Sequence, residues 1–316
     1  MSLFIAKRFA TFVATLFGAS VVVFLILEIL PGDPAYAILG ADADPSAYQA
    51  LRKELGLDEP ALDRYLSWIS GVLTGDFGIS YTYSVPVSEL VVERLALTVP
   101  LAVIAMAMTV IVAIGLGLYA AAHHNKVGDW GVMVFSQLGI AVPNFWFGIL
   151  LILLFSVYLG WFSSGGFPGW DAGLWPALKS LLLPAVALAT VQAAILARVT
   201  RSSVLETIGE DYVRTARAKG LTRAATLWRH VLRNALIPVV TIMGLQFANL
   251  LAGTIVIENV FFLPGLGRLV FQAIANRDLV VVKDVVLLLA AMVVVVNFVV
   301  DIAYAIIDPR LRAHDA

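Results

Sequence analysis

Residues 210–220 read Glu-Asp-Tyr-Val-Arg-Thr-Ala-Arg-Ala-Lys-Gly, which gathers five charged side chains in a chain that is only 14% charged. Glu210 and Asp211 open the run, Arg217 and Lys219 close it, and Gly220 follows. That order complements a helix dipole and supplies a glycine C-cap, so it predicts a short helix over 210–219. Tyr212, Val213 and Ala216 share one face of that helix, while Arg214, Arg217 and Lys219 project elsewhere. A short helix with a small apolar face and charged flanks suits a groove on a partner protein. It equally suits a solvated basic loop, and at this level both readings stand.

Bond-making chemistry has little to work with. The phosphate-cradling pattern G-x-x-x-x-G-K-[ST] is absent, and no Gly-Lys dipeptide occurs. His123-His124 forms a pair without further ligands at metal spacing and reads as loop polarity. There is no cysteine, which removes thiolate ligands, thiol nucleophiles and disulfides together. No cofactor or metal is expected on this chain, and a net charge of −1 gives no basic surface for nucleic acid.

The elements that position the charged run are apolar. The chain is 60% hydrophobic, and an average soluble domain carries about 25% charged residues, well above the fraction here. Six runs are long enough to cross ~30 Å of hydrocarbon, at residues 9–30, 99–122, 132–159, 181–197, 235–257 and 285–307. Pro143 predicts a kink in the third span or marks its entry. The fourth is short unless Ala177 and Leu178 join it and Lys179 snorkels. The first run is longer than a signal-peptide core, which favours a retained span over cleavage near Ala35-Tyr36-Ala37. Only Glu28 and Asp301 stand out as ionisable residues within these runs. Asp301 is expected to pair with a basic group at the inner end of its span, with Arg198 or Arg201 within reach, and Glu28 lies near the outer end of its span.

Basic residues set the orientation. With the N-terminus inside, the inner segments hold thirteen of the 21 lysines and arginines, eight of them between Arg198 and Arg233. The outer segments hold fourteen of the 22 acids. Both termini are therefore predicted to be cytoplasmic. The chain divides into residues 1–98 (first span plus an external cap), 99–307 (a five-span core with an internal loop at 198–236) and a tail at 308–316. In the cap, Asp44-Pro45 opens a helix that Gly56 closes, and a second helix runs over 60–74 with Trp68 at the membrane interface. A further helix at 222–236 runs into the fifth span. Gln192, Gln246, Asn249 and Asn297 are polar side chains at membrane depth. They are candidates to line a passage, or else hydrogen-bonding links between helices.

The whole length resembles the first of the two membrane subunits in the bacterial dipeptide/oligopeptide/nickel ABC importers. The matching stretches are Leu30-Pro31-Gly32-Asp33-Pro34, Gly75-Asp76-Phe77-Gly78-Ile79-Ser80 and Pro143-Asn144-Phe145-Trp146. They continue with 211–220, Trp228-Arg229-His230, 233–238, Glu258-Asn259-Val260-Phe261, Pro264-Gly265-Leu266-Gly267 and Arg277-Asp278. The resemblance implies an all-α, six-span type I importer permease in the bacterial inner membrane. It also implies a second homologous permease, two ATPase subunits carrying ATP and Mg, and a substrate-binding protein. The run Glu210, Asp211, Tyr212, Val213, Arg214, Ala216, Arg217, Lys219, Gly220 would then be the coupling loop, with Gly220 and Ala216 at the glycine and second alanine of the "EAA" motif. Arg214-Thr215 stand where the general motif has Glu-Ala, and Pro238 lies farther from Gly220 than its usual spacing. The implied activity is passage of di- or oligopeptides, with nickel complexes or oligosaccharides as family alternatives. An autonomous secondary transporter is the rival class; it would be expected to show buried ionisable residues or inverted repeats.

Overall fold

The computed structural model describes residues 2–29, 34–40 and 44–307. Leu30–Asp33 of the first matching stretch, and the tail at 308–316, lie outside the described residues. Five helices are long and apolar enough to cross a membrane, and a sharply bent pair makes a sixth span if it is counted as one.

The long helices are α1 (Ser2–Ile29), α5 (Val87–Ala122), α8 (Leu174–Ile208), α11 (Leu232–Val260) and α13 (Leu279–Ile307). The bent pair is α6 (Val127–Ala141) and α7 (Asn144–Leu151), the latter continuing as a π-helical stretch over Ile152–Tyr158. Its halves meet at 101°, so residues 132–159 are a broken element rather than a kinked span. The cause is local. Proline disfavours helical backbone at the residue before it, and Val142 accordingly sits at ψ 122°, extended, ahead of Pro143. The fourth span does take in Ala177 and Leu178, because α8 starts at Leu174.

The centre of the molecule is the pair α5 and α8, packed through small side chains. Ala105, Thr109, Ala113 and Gly117 recur every four residues along α5, and Ala185, Ala189, Ala193 and Ala197 do the same on α8; all are buried. Such a seam lets two backbones approach closely where no water drives helices together. A Cβ on Gly117 would fall 2.5 Å from Thr200 Cβ and 2.8 Å from the Ala197 carbonyl oxygen. Gly117→Leu is therefore expected to lower stability by about 1–3 kcal/mol through overpacking. Gly115→Leu, at a position with open space around it, should leave stability unchanged; thermal unfolding in detergent checks the pair.

Helix α1 lies along α13, pinned at both ends. Arg8 reaches Asp301 at 3.0 Å, and Phe9 and Phe12 pack on Phe298. At the other end Glu28 pairs with Arg64 of the cap. Asp301 thus does pair with a basic group, but the group comes from the first helix and not from Arg198 or Arg201. Arg198 instead bonds Gln137 at 3.0 Å, and Arg201 holds Asp129. Proximity along the helix axis did not identify the pair, because α13 borders α1 rather than the basic end of α8.

The cap comprises α2 (Pro34–Leu39), α3 (Pro45–Glu54) and α4 (Ala61–Thr74). Asp44 Oδ1 accepts the Ser46 amide at 2.7 Å, and Gly56 closes the turn at φ +66°. The Ser46 hydroxyl and amide hold the Asp44 carboxyl below the usual carboxylate range. Trp68 is only 7% exposed, so it is covered by the protein itself and is not an anchor facing the headgroups. Its Nε1–H donates to Asp284 Oδ1 at 2.6 Å, which fastens α4 to the start of α13.

Candidate functional site: the coupling helix, the polar recess and the cap-side turn

Helix α9 (Asp211–Ala218) follows α8 after a turn at Gly209-Glu210, and the short α10 (Arg223–Thr226) leads on toward α11. It ends where the Gly220 amide returns to the Arg217 carbonyl at φ +90°, a left-handed conformation that suits glycine. Val213 is fully buried and Ala216 is buried beside it. Val213 packs with Ala121 at the end of α5, Val204 on α8, and Val231 and Ala235 where the chain enters α11. The apolar face is therefore already occupied by the chain's own bundle, which corrects the expectation that it is free for a partner's groove. Sequence shows that a short helix has an apolar face but not which surface covers it.

The rest of the predicted run lies outward. Glu210, Asp211, Arg214, Arg217, Lys219 and Gly220 are exposed, and Asp211 pairs loosely with Arg214 at 3.4 Å. Tyr212 is half exposed, and its hydroxyl accepts a 2.7 Å hydrogen bond from Asn234 Nδ2 on α11. A helix so placed has a charged outer face and an inner face wedged among the ends of three long helices. Displacing it must displace them.

Three of the four membrane-depth polar residues come together. Gln192 of α8 and Asn249 of α11 line one recess with Asn144, next to the break at Pro143. Gln246 is buried beside them and donates to the Gln192 carbonyl at 3.2 Å, while its own Oε1 has no partner among the described residues. Asn297, on α13, does not line this recess. Gln246 thus fits the role of a link between helices, and Gln192 and Asn249 that of a recess lining.

Four acids flanking the apolar runs are buried, which their sequence neighbourhood did not signal: Asp129, Glu258, Asp278 and Asp284. Glu258 is fully buried near the end of α11. Its Oε1 accepts from Thr98 Oγ1 at 2.6 Å, and its Oε2 accepts the amides of Gly267 at 2.7 Å and Arg268 at 3.2 Å. The carboxylate thereby caps α12 (Leu266–Ala275), and Thr98 Oγ1 in turn accepts the Leu266 amide at 2.9 Å. A Cβ on Gly265 would overlap that carboxyl group, and one on Gly267 would overlap Ile255 Cα. The Glu258 and Pro264-Gly265-Leu266-Gly267 stretches are one interlocked turn. Asp278 repeats the device, accepting Ser80 Oγ at 2.6 Å and the Thr82 amide at 3.0 Å, which ties the 75–80 loop to the start of α13. Asp129, at the start of α6, is held by Arg201 Nη2 at 2.7 Å, with His124 Nδ1 at 3.2 Å. His124 is accordingly part of this node and not mere loop polarity. No group of three or more metal-ligating side chains occurs among the described residues.

Comparison with known proteins agrees with this architecture. Residues 113–313 match the family model for the binding-protein-dependent transport system inner membrane component, and residues 1–102 match that for its N-terminal part. The chain belongs to this family of membrane permease subunits and is a multi-pass inner-membrane protein. A relative in Brucella abortus, named as a peptide transport system permease, is 45% identical over 314 residues, 99% of each chain. The glutathione transport system permease of Escherichia coli K12 is 41% identical over 309 residues, 98% of each. Among solved structures, the inward-facing MetNI methionine ABC transporter superposes with TM-score 0.58 at 18% identity, over 69% of this chain and 96% of that one. That likeness supports the fold of a type I importer membrane subunit.

Proposed function

We propose that this chain forms half of the passage of an ABC importer for di- or oligopeptides, paired with a second homologous permease. Two ATPase subunits bind ATP and Mg on the side of α9, and a substrate-binding protein docks on the side of the cap. The chain itself catalyses nothing. The observation that carries this reading is the two-faced seating of α9. Val213 and Ala216 anchor it among α5, α8 and α11, and Asp211, Arg214 and Arg217 face outward. ATPase motion on the charged face is then transmitted to three spanning helices at once. The peptide substrate class is supported by the names of the relatives in Brucella and Escherichia coli. The basic residues of 198–233 support placing α9 and both termini in the cytoplasm.

The test is binding-protein-stimulated ATP hydrolysis by the co-purified assembly. Arg217→Glu reverses a charge on the outward face and is expected to cut stimulation by about tenfold while leaving the permease folded. Val213→Asp, which puts a charge into the buried seat, should uncouple as strongly and also loosen α9. A chain that purifies alone, with Arg217→Glu changing nothing, would bring the secondary-transporter reading forward.

A further inference from the structure

Between the cap and the membrane boundary lies a cleft that the transport reading does not use. It is formed by two adjoining pockets that share Ser67, Trp68, Tyr81 and Lys283. The first has a volume of 380 Å³, within the ~300–1,000 Å³ usual for ligand sites. Its apolar wall comes from the last turns of α1, through Phe24 and Leu27, and the first turn of α13, through Val280. Both helices are membrane spans, covering Ile5–Ile29 and Leu279–Ile302. The cleft therefore sits at the hydrocarbon boundary on the cap side. Neighbouring α1 side chains such as Leu25 and Ile26 are exposed, as lipid-facing residues are.

Its polar groups are unspent. Lys283 Nζ lies over the Trp68 ring, 5.4 Å from the centroid; Asp284 attracts it through space, but it makes no hydrogen bond or close ion pair among the described residues. The hydroxyls of Ser67 and Tyr81 and the carboxylate of Glu59 also lack hydrogen-bond partners among the described residues, and all open on the first pocket. Arg64 and Glu28, by contrast, neutralise each other. Burial and the neighbouring Asp278 push the Tyr81 hydroxyl up to about 12, so at neutral pH it remains a donor. The first pocket thus offers three uncommitted donors, one of them cationic, and one uncommitted carboxylate, against an apolar wall level with the lipid. A phosphate fits the donors, a primary ammonium fits Glu59, and acyl chains fit the wall.

We infer that this cleft binds the headgroup of a zwitterionic phospholipid bearing a primary amine, phosphatidylethanolamine, and that the lipid braces the cap against α1 and α13. The test titrates the full-length, delipidated chain in detergent with dioleoyl phosphatidylethanolamine, phosphatidylcholine or phosphatidylglycerol, counting adducts by native mass spectrometry. Phosphatidylethanolamine should be retained about tenfold over the other two, since choline cannot hydrogen-bond Glu59 and glycerol carries no cation. Lys283→Met should lower its retention about tenfold, and Tyr81→Phe severalfold. Glu59→Gln, at an exposed position where folding is not at stake, should erase the preference over phosphatidylcholine. Equal retention of all three lipids, or a preference that survives Glu59→Gln, would overturn the inference. So would displacement by excess inorganic phosphate or dialanine, which would make the cleft a soluble-anion or peptide site.

Discussion

Glu258→Ala should destabilise the permease by about 3–5 kcal/mol, because it strands three buried donors that each cost about 1–3 kcal/mol when unsatisfied. Those donors are the Thr98 hydroxyl and the amides of Gly267 and Arg268. Water cannot readily replace the carboxylate, since Glu258 and its neighbours Leu266 and Leu263 are fully buried. Glu258→Gln should cost less. The amide oxygen can still receive the two α12 amides, and the amide nitrogen can donate to Thr98 Oγ1. Thermal unfolding in detergent should rank wild type above Gln and Gln above Ala. A Glu258→Ala protein as stable as wild type would mean that the α11–α12 turn holds itself. The same geometry predicts that transport fails with stability here, because α12 packs its buried Leu266, Leu269 and Val270 against Val87, Leu90 and Val91 of α5 and the start of α13.

Arg201→Met should cost a similar amount, about 3–5 kcal/mol, for a different reason. It removes the cation from Asp129, whose side chain is almost wholly buried, and leaves a charge in the bundle that, among the described residues, only His124 and the Asn125 amide reach. Removing both charges is milder than removing one, so Asp129→Asn combined with Arg201→Met should recover most of the loss. The node also ties the α5–α6 turn to the basic end of α8, three residues from Val204 in the seat of α9. Arg201→Met is therefore expected to weaken coupling as well as stability. A double variant that restores stability but not stimulated ATP hydrolysis would separate the two effects.

Much of this was legible because it is local. The apolar runs, the Asp44 cap, Gly56 and the ends of α9 each depend on residues within a few positions, and helix chemistry fixes them. Residues 181–197 understated α8 at both ends, since Lys179 and the arginines near 200 interrupt the hydrophobic run without interrupting the helix. What sequence left open depends on distant partners. Glu258 meets Thr98 from 160 positions away, Trp68 meets Asp284 from 216, and Asp129 meets Arg201 from 72. An acid near the end of an apolar run says nothing of the donor that awaits it. The inward turn of Val213 was hidden for the same reason. The four-residue spacing of small side chains on α5 and α8 was present in the sequence and readable as a helix seam; its signal lay in residue size rather than polarity.

In the proposed importer the outward face of α9 meets an ATPase subunit while its inward face is locked in the bundle. The chain has no cysteine, so a single thiol can be placed at will. The most direct measurement compares Arg214→Cys, Arg217→Cys and, on the cap, Ser70→Cys in the assembly co-expressed with its ATPases, using a short thiol-to-amine crosslinker. A permease–ATPase product is expected from Arg214→Cys and Arg217→Cys, altered by ATP, and none from Ser70→Cys. An ATPase crosslink from the cap site, or none from either α9 site in an assembly that still hydrolyses ATP on demand, would contradict it.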